Sequence, residues 1–160
     1  MYGHFLELGG QIKGIDEQIK AWHRESSLSQ RLQGIPGVGT LTASAIVASV
    51  GDARMFKSGR QMAAWLGLVP RQYSSGGKQV LRGISKRGDA YIRRLLVLGA
   101  HAVIRHLKAA PPNEAPSWIQ RLLTRRSIHI AAVALANKHA RIAWALLTND
   151  REYCAGYKRA

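Results

Sequence analysis

Five residues, Ile35-Pro36-Gly37-Val38-Gly39, constrain this chain more than any other stretch, because they force two helices to fold back on each other. Pro36 stops the first helix. Gly37 and Gly39 allow a tight turn without Cβ clashes. The segment from Thr40 to Ile46 then starts a second helix, and small Ala43 lets the pair approach. The pattern predicts a helix-hairpin-helix element. Its second helix would begin with unpaired backbone N–H groups and a positive dipole end, which together hold a phosphate without reading sequence. Gly37, Val38 and Gly39 are therefore candidate nucleic-acid contacts. The alternative is a plain αα turn that touches nothing.

Helical periods recur on both sides of this turn. Phe5, Leu8, Ile12, Ile15, Ile19 and Trp22 follow 3-4-3-4-3 spacing, an a/d seam across residues 4–25. Gly9, Gly10 and Gly14 weaken that helix by roughly 1 kcal/mol each. Packing on its own domain is the competing account of the seam. Ser58 is a candidate cap for a helix ending near Gly67, with Met62, Trp65 and Leu66 as core. A third helix runs from about Asp89 to Lys108, with Ile92, Leu95, Leu96 and Gly99 on one face. Pro111, Pro112 and Pro116 mark a linker, followed by a short helix at 118–123. A last helix spans roughly Ile128 to Leu147, with an apolar stripe of Ile128, Ala131, Leu135, Ile142 and Leu146. Lys138 and Arg141 lie on its other side, where they suit a phosphate backbone or a solvated face. Residues 69–87 alone show no helical period and read as an irregular basic loop or short hairpin. The fold class is mainly α: a coiled-coil-like helix over 1–28, a helical domain over 29–150 and a tail over 151–160.

The charge limits the partners. The chain of 160 residues holds 24 Lys and Arg against 9 Asp and Glu, a net charge of +15. Self-repulsion on that scale calls for a polyanionic partner, with nucleic acid ahead of an anionic membrane surface. The acids gather at the ends: between Ser26 and Asn149 only Asp52, Asp89 and Glu114 occur. That scarcity argues against a self-contained two-metal nuclease, which needs several carboxylates. One cysteine, Cys154, excludes a disulfide framework and a Cys-based zinc site, and fits a reducing cytoplasm. Apolar runs near Leu95–Ile104 and Ile128–Ala136 are too short to span a bilayer, and the N-terminus does not read as a signal peptide.

Within the 69–87 stretch, Ser74-Ser75-Gly76-Gly77-Lys78 sets hydroxyls beside two adaptable backbone amides and a cation. That arrangement suits a phosphate, and equally a serine nucleophile attacking a phosphodiester. Arg71, Lys78, Arg82, Lys86 and Arg87 are near enough in sequence to stabilise the charge such an attack builds. No general base is adjacent. The six histidines show no metal-ligand spacing, and nothing supports a Ser-His-Asp triad.

Five ordered blocks carry a resemblance over about Leu32 to Leu147. They are Ile35-Pro36-Gly37-Val38-Gly39, Ala64-Trp65-Leu66-Gly67-Leu68-Val69-Pro70, Ser75-Gly76-Gly77-Lys78, Ile84-Ser85-Lys86-Arg87-Gly88-Asp89 and Arg93-Arg94-Leu95-Leu96. The late block Ala136-Asn137-Lys138-His139-Ala140-Arg141 is also similar. Together they resemble the C-terminal domain of the DEDD-type insertion-sequence transposases, the bridge-RNA-guided serine recombinases. The resemblance implies that Ser75, with Ser74 as the alternative, attacks DNA and forms a covalent phosphoserine link. It implies that the surrounding residues, Gly76, Gly77, Arg93, Lys138 and Arg141 among them, bind DNA and guide RNA. It further implies a homo-oligomer built through the N-terminal helix and the helical domain.

In that family an N-terminal domain with four carboxylates binds Mg²⁺. This stretch lacks it, so no cofactor and no metal ligand is expected here, and residues 4–25 resemble the end of the coiled coil joining the two domains. The chain then reads as part of a longer protein or a truncated reading frame, binding nucleic acid without recombining DNA by itself. Two other readings use the charge but not Ser75. One is a non-enzymatic helix-hairpin-helix module, able to inhibit a full-length enzyme through mixed dimers. The other is a basic protein associated with ribosomal RNA.

Overall fold

The computed structural model describes residues 2–75, 78–109 and 117–155, with the backbone alone at residues 2, 3, 5, 72–75 and 78–82. Ser26 opens α2, Ser27–Gln33, its hydroxyl accepting from the Ser29 amide at 3.3 Å. The turn after it brings Ile35 and Val38 into the core, at 1% and 3% exposure. Gly37 takes φ +80°, the left-handed region that disfavours side chains. Gly39 is extended, at φ −87° and ψ 178°, and acts as the N-cap of α3, Thr40–Val50. The tight turn thus needs glycine at Gly37 and not at Gly39, where a Cβ would meet open space.

Gly37 has a second constraint. A Cβ there would lie 2.5 Å from the carbonyl oxygen of Gly99, and a Cβ on Gly99 would overlap the carbonyl of Gly37. Gly99 belongs to α5, Ala90–Ala109. Two glycines therefore let the turn rest backbone-to-backbone on that helix. The buried line of α5 is Ile92, Leu96, Ala100 and Ile104, one position round from the expected face, which leaves Leu95 and Gly99 half-buried.

A 3-10 turn, Ala53–Met55, leads to α4, Gly59–Trp65, capped by Ser58 as expected. Trp65 does not join the core. It stands at the last residue of α4, is 36% exposed, and its ring packs tilted against Phe56 at 5.5 Å between centroids. Residues 70–84 settle as a hairpin of β1, Pro70–Ser75, and β2, Lys78–Ile84, running antiparallel. Pro70 pairs with Ile84 at its base and Ser75 with Lys78 at its far end, with an irregularity between Pro70 and Gln72.

After α5 come α6, Trp118–Leu123, closed by a capping box between Ser117 and Gln120, and α7, Ile128–Thr148. Ala131, Ala132, Leu135, Ala136, Ala140, Ala143 and Leu146 of α7 are buried. So many alanines on one helix let α4 and α5 pack closely against it, and these two make its most extensive contacts. Ile128 and Ile142, expected in the stripe, are half-buried at its margin.

The first helix, α1, covers Tyr2–Glu25. Its seam is open along most of its length: Leu8, Ile12, Ile15 and Trp22 are 43%, 61%, 56% and 42% exposed. Only its end is tied down. There His23 is buried between Ser29 and Gln33 at 2.6 and 2.9 Å. The Gln33 carboxamide oxygen only accepts, so His23 Nε2 carries the proton and Nδ1 accepts from the Ser29 hydroxyl. No helix is long and apolar enough to cross a membrane among the described residues.

Candidate nucleic-acid interface

Three segments distant in sequence meet around one open groove of about 1850 Å³. The start of α4 supplies Lys57 and Arg60, the hairpin base supplies Arg71 and Lys86, and α7 supplies Lys138 and Arg141. These six cations line the groove and no acid does, among the described residues. Between them the surface is apolar, made by Ile84, Ile130, Val133, Ile142 and Trp144. The space exceeds a small-molecule pocket, which typically holds about 300–1,000 Å³. Its size and single-sign rim suit a stretch of polyanion.

Hydrogen bonds to backbone carbonyls fix the walls. Asn137 Nδ2 donates to the Leu68 carbonyl at 3.1 Å, joining α7 to the entry of β1. Trp144 Nε1 donates to the carbonyls of Ala53 and Phe56 at 3.1 and 3.2 Å, joining α7 to the 3-10 turn. Arg71 reaches across the hairpin base to the Ser85 carbonyl at 3.2 Å. Lys86 holds φ +56°, a left-handed conformation unusual for a residue with a side chain. Such strain persists where the surroundings over-determine it, often at functional sites.

Of the residues singled out from the sequence, Arg71, Lys86, Lys138 and Arg141 come together here. Arg87 is exposed but does not line the groove. Arg93 is turned inward, donating to the Leu66 carbonyl at 2.9 Å, where it completes the C-terminal end of α4. The turn between α2 and α3 stands apart from the groove: Gly37 rests on Gly99, and the Val38 amide donates to the Ile35 carbonyl at 2.9 Å. Gly76 and Gly77 lie outside the described residues, as do the side chains of Ser74, Ser75, Lys78 and Arg82. The strand register nevertheless puts Ser75 at the hairpin's far end, roughly 13 Å along β1 from Arg71 at about 3.3 Å per residue.

Lys57, Arg60 and Trp118 were not legible as site residues. Lys57-Ser58-Gly59-Arg60 did carry a signal, two cations flanking a helix cap. Trp118 opens α6, is 42% exposed, and has Lys138 Nζ 5.1 Å from its ring centroid. His139, next along α7, is buried with Nδ1 unpartnered among the described residues. Burial, and then the charge of Lys138, lowers its pKa from 6.5 to about 4, so it is neutral at pH 7.

Asp52 and Asp89, the described acids of the middle region, serve the backbone. Asp52 accepts from the Arg54 amide and Asp89 from the Ile92 amide, each at 2.9 Å. No three potential metal ligands gather among the described residues. These residues do not fit the Mg²⁺ centre that the resemblance assigns to a separate domain.

Residues 29–115, which include the turn, α4 and the hairpin, match the family described as transposase IS116/IS110/IS902. The chain belongs to that family. It is 53% identical over 150 residues to a probable family 20 transposase of Pseudomonas aeruginosa, covering 93% of this chain and 44% of that protein. It is 47% identical over 156 residues to the transposase for insertion sequence element IS1111A of Coxiella burnetii, covering 98% and 43%. Similarity extends at 29% identity over 148 residues to an IS110 insertion-element protein of Streptomyces coelicolor, covering 89% and 34%. The chain thus spans less than half the length of these relatives.

Proposed function

We propose that this chain is the DNA-holding, catalytic-serine part of an IS110-type transposase. The observation that carries the reading is the groove whose lining, among the described residues, holds six cations and no acid, in a chain of this family. Its cations would neutralise phosphates and release their counterions, a binding mode that needs no base contact. Ser75, at the far end of a hairpin rooted in that groove, is the candidate nucleophile, with Ser74 beside it. In the step, Ser75 Oγ would bond to phosphorus as one bridging deoxyribose oxygen leaves; the serine proton would pass to a base, and the leaving oxygen would take up a proton from that protonated base or from water to become a hydroxyl. With the nearby carboxylates engaged as caps, Mg²⁺ and the base would come from the carboxylate domain of the longer protein. Guide RNA is a second proposed polyanion partner.

Self-association through α1 is part of the same proposal. Its open seam adjoins an apolar trough of about 400 Å³ lined by Ile19, Trp22, Leu41 and Tyr91. A partner helix would remove this surface from water.

The test combines this chain with a separate carboxylate domain, guide RNA and labelled DNA. We expect a covalent protein–DNA adduct that Ser75→Ala abolishes, and no strand exchange by this chain alone. Equal adduct with Ser75→Ala would transfer the role to Ser74 or end the enzyme reading. Binding without any adduct would favour the second reading, a non-enzymatic module that inhibits the full-length protein by mixed assembly.

A further inference from the structure

We propose that the groove receives an unpaired strand of nucleic acid and seats one of its bases on Trp118. The proposal rests on the groove being a polyanion site and adds which form of polyanion it selects. Cations alone do not discriminate, since duplex and single strand both offer phosphates. The apolar surface between the cations does. A duplex turns its phosphates outward and hides base faces in the stack, so it would leave Ile130, Val133 and Ile142 against water. An unpaired strand brings phosphates and bare base faces to the same surface, matching a positive groove set with aromatic and apolar side chains.

Trp118 supplies the platform. It lines the groove and is 42% exposed, beside Ile130 at 53%. The Ser117–Gln120 capping box fixes the start of the helix that carries it. Lys138 Nζ lies over the ring at 5.1 Å from its centroid. The ammonium is attracted to one face of the indole, and the ring's exposed surface is what a base would stack on, while the ammonium adds a charge for the adjoining phosphate. Stacking of this kind tolerates any base, because each has a π-face.

The experiment measures binding of labelled twelve-nucleotide strands to the full chain by fluorescence anisotropy: oligo-dT, oligo-U, an abasic strand and a duplex. Wild-type protein should bind oligo-dT about tenfold or more tightly than the abasic strand, with Trp118→Ala removing that margin and Trp118→Phe keeping most of it. Abasic and duplex binding should be unmoved by Trp118→Ala. Oligo-dT should also quench tryptophan emission more in wild type than in Trp118→Phe, where Trp144 is the groove tryptophan that remains, a readout that needs no truncated side chain. The oligo-U arm tells whether the strand is DNA alone or also RNA. Equal wild-type affinity for oligo-dT and the abasic strand would overturn the base seat while leaving the polyanion groove intact. So would a Trp118→Ala loss shared by all four ligands. If Lys138→Glu with Arg141→Glu weakens none of them, the groove reading falls as well.

Discussion

Acidification should destabilise this fold through His139, and replacement by leucine should remove that sensitivity. The imidazole is buried on α7, and its pKa falls from 6.5 to about 4, chiefly because burial penalises the charged form. Between those values the unfolded chain binds a proton that the folded chain refuses. Stability is therefore fully present above pH 6.5 and declines as pH falls toward 4. At about 1.36 kcal/mol per unit, the whole interval represents roughly 3 kcal/mol, of which about 2 kcal/mol is lost between pH 7 and pH 5. His139→Leu conserves approximate volume and removes a buried Nδ1 that has no partner among the described residues. It should be at least as stable as wild type at pH 7, since an unsatisfied polar atom is no longer held from water. Urea unfolding of both proteins at pH 7 and pH 5 checks this. The gap between them should widen by about 2 kcal/mol at the lower pH. Parallel losses in the two proteins would show that His139 is not the group being titrated.

Three further outcomes follow from the geometry. Gly99→Ala should destabilise by about 2 kcal/mol or more in urea, because its Cβ would overlap the Gly37 carbonyl, whereas glycine to alanine inside a helix ordinarily stabilises. A gain in stability would refute the backbone contact. Lys86→Gly should leave thermal stability unchanged or raised by up to about 1 kcal/mol, because the left-handed strain is relieved, while weakening DNA binding. Loss of both together would mean that Lys86 is structural. Arg141→Gln should lower the slope of log affinity against log salt by about 0.7–0.9, the contribution of one phosphate contact, and an unchanged slope would place Arg141 outside the interface.

Local signals in the sequence were read correctly where one segment contains both cause and effect. α2 ends at Gln33, just ahead of Pro36, Ser58 caps α4, and the short helix expected at 118–123 is α6. The missing period over 69–87 left a hairpin open as one choice, and the hairpin is what forms. What distant segments decide was less visible. Gly37 is explained by its own φ and also by Gly99, which only the packing of α5 brings near. Trp65 looked like core from its period, yet it stands at the last residue of α4 and is 36% exposed. Four of the groove's six cations, Arg71, Lys86, Lys138 and Arg141, were legible because basic residues stand out near Ser75 and on α7. Lys57 and Arg60 were passed over because they join only when α4 docks on α7. His139 could have been found: Leu135, His139, Ala143 and Leu146 share one face of α7. That spacing puts an imidazole where only an apolar side chain is expected.

The contact between Gly37 and Gly99 also determines how this fold can drift. A pair of touching side chains can exchange bulk, one growing as the other shrinks, and such pairs change together among relatives. Here each partner presents its main chain, so there is no bulk to trade and no compensating change elsewhere on the two residues. The two positions should remain glycine independently in relatives that keep this turn on this helix, appearing as two fixed columns with no covariation between them. His23 and Gln33, joined by side chains, are free to change as a pair. The joint that fixes the turn against α5 would then be silent to any method that looks for coordinated substitution.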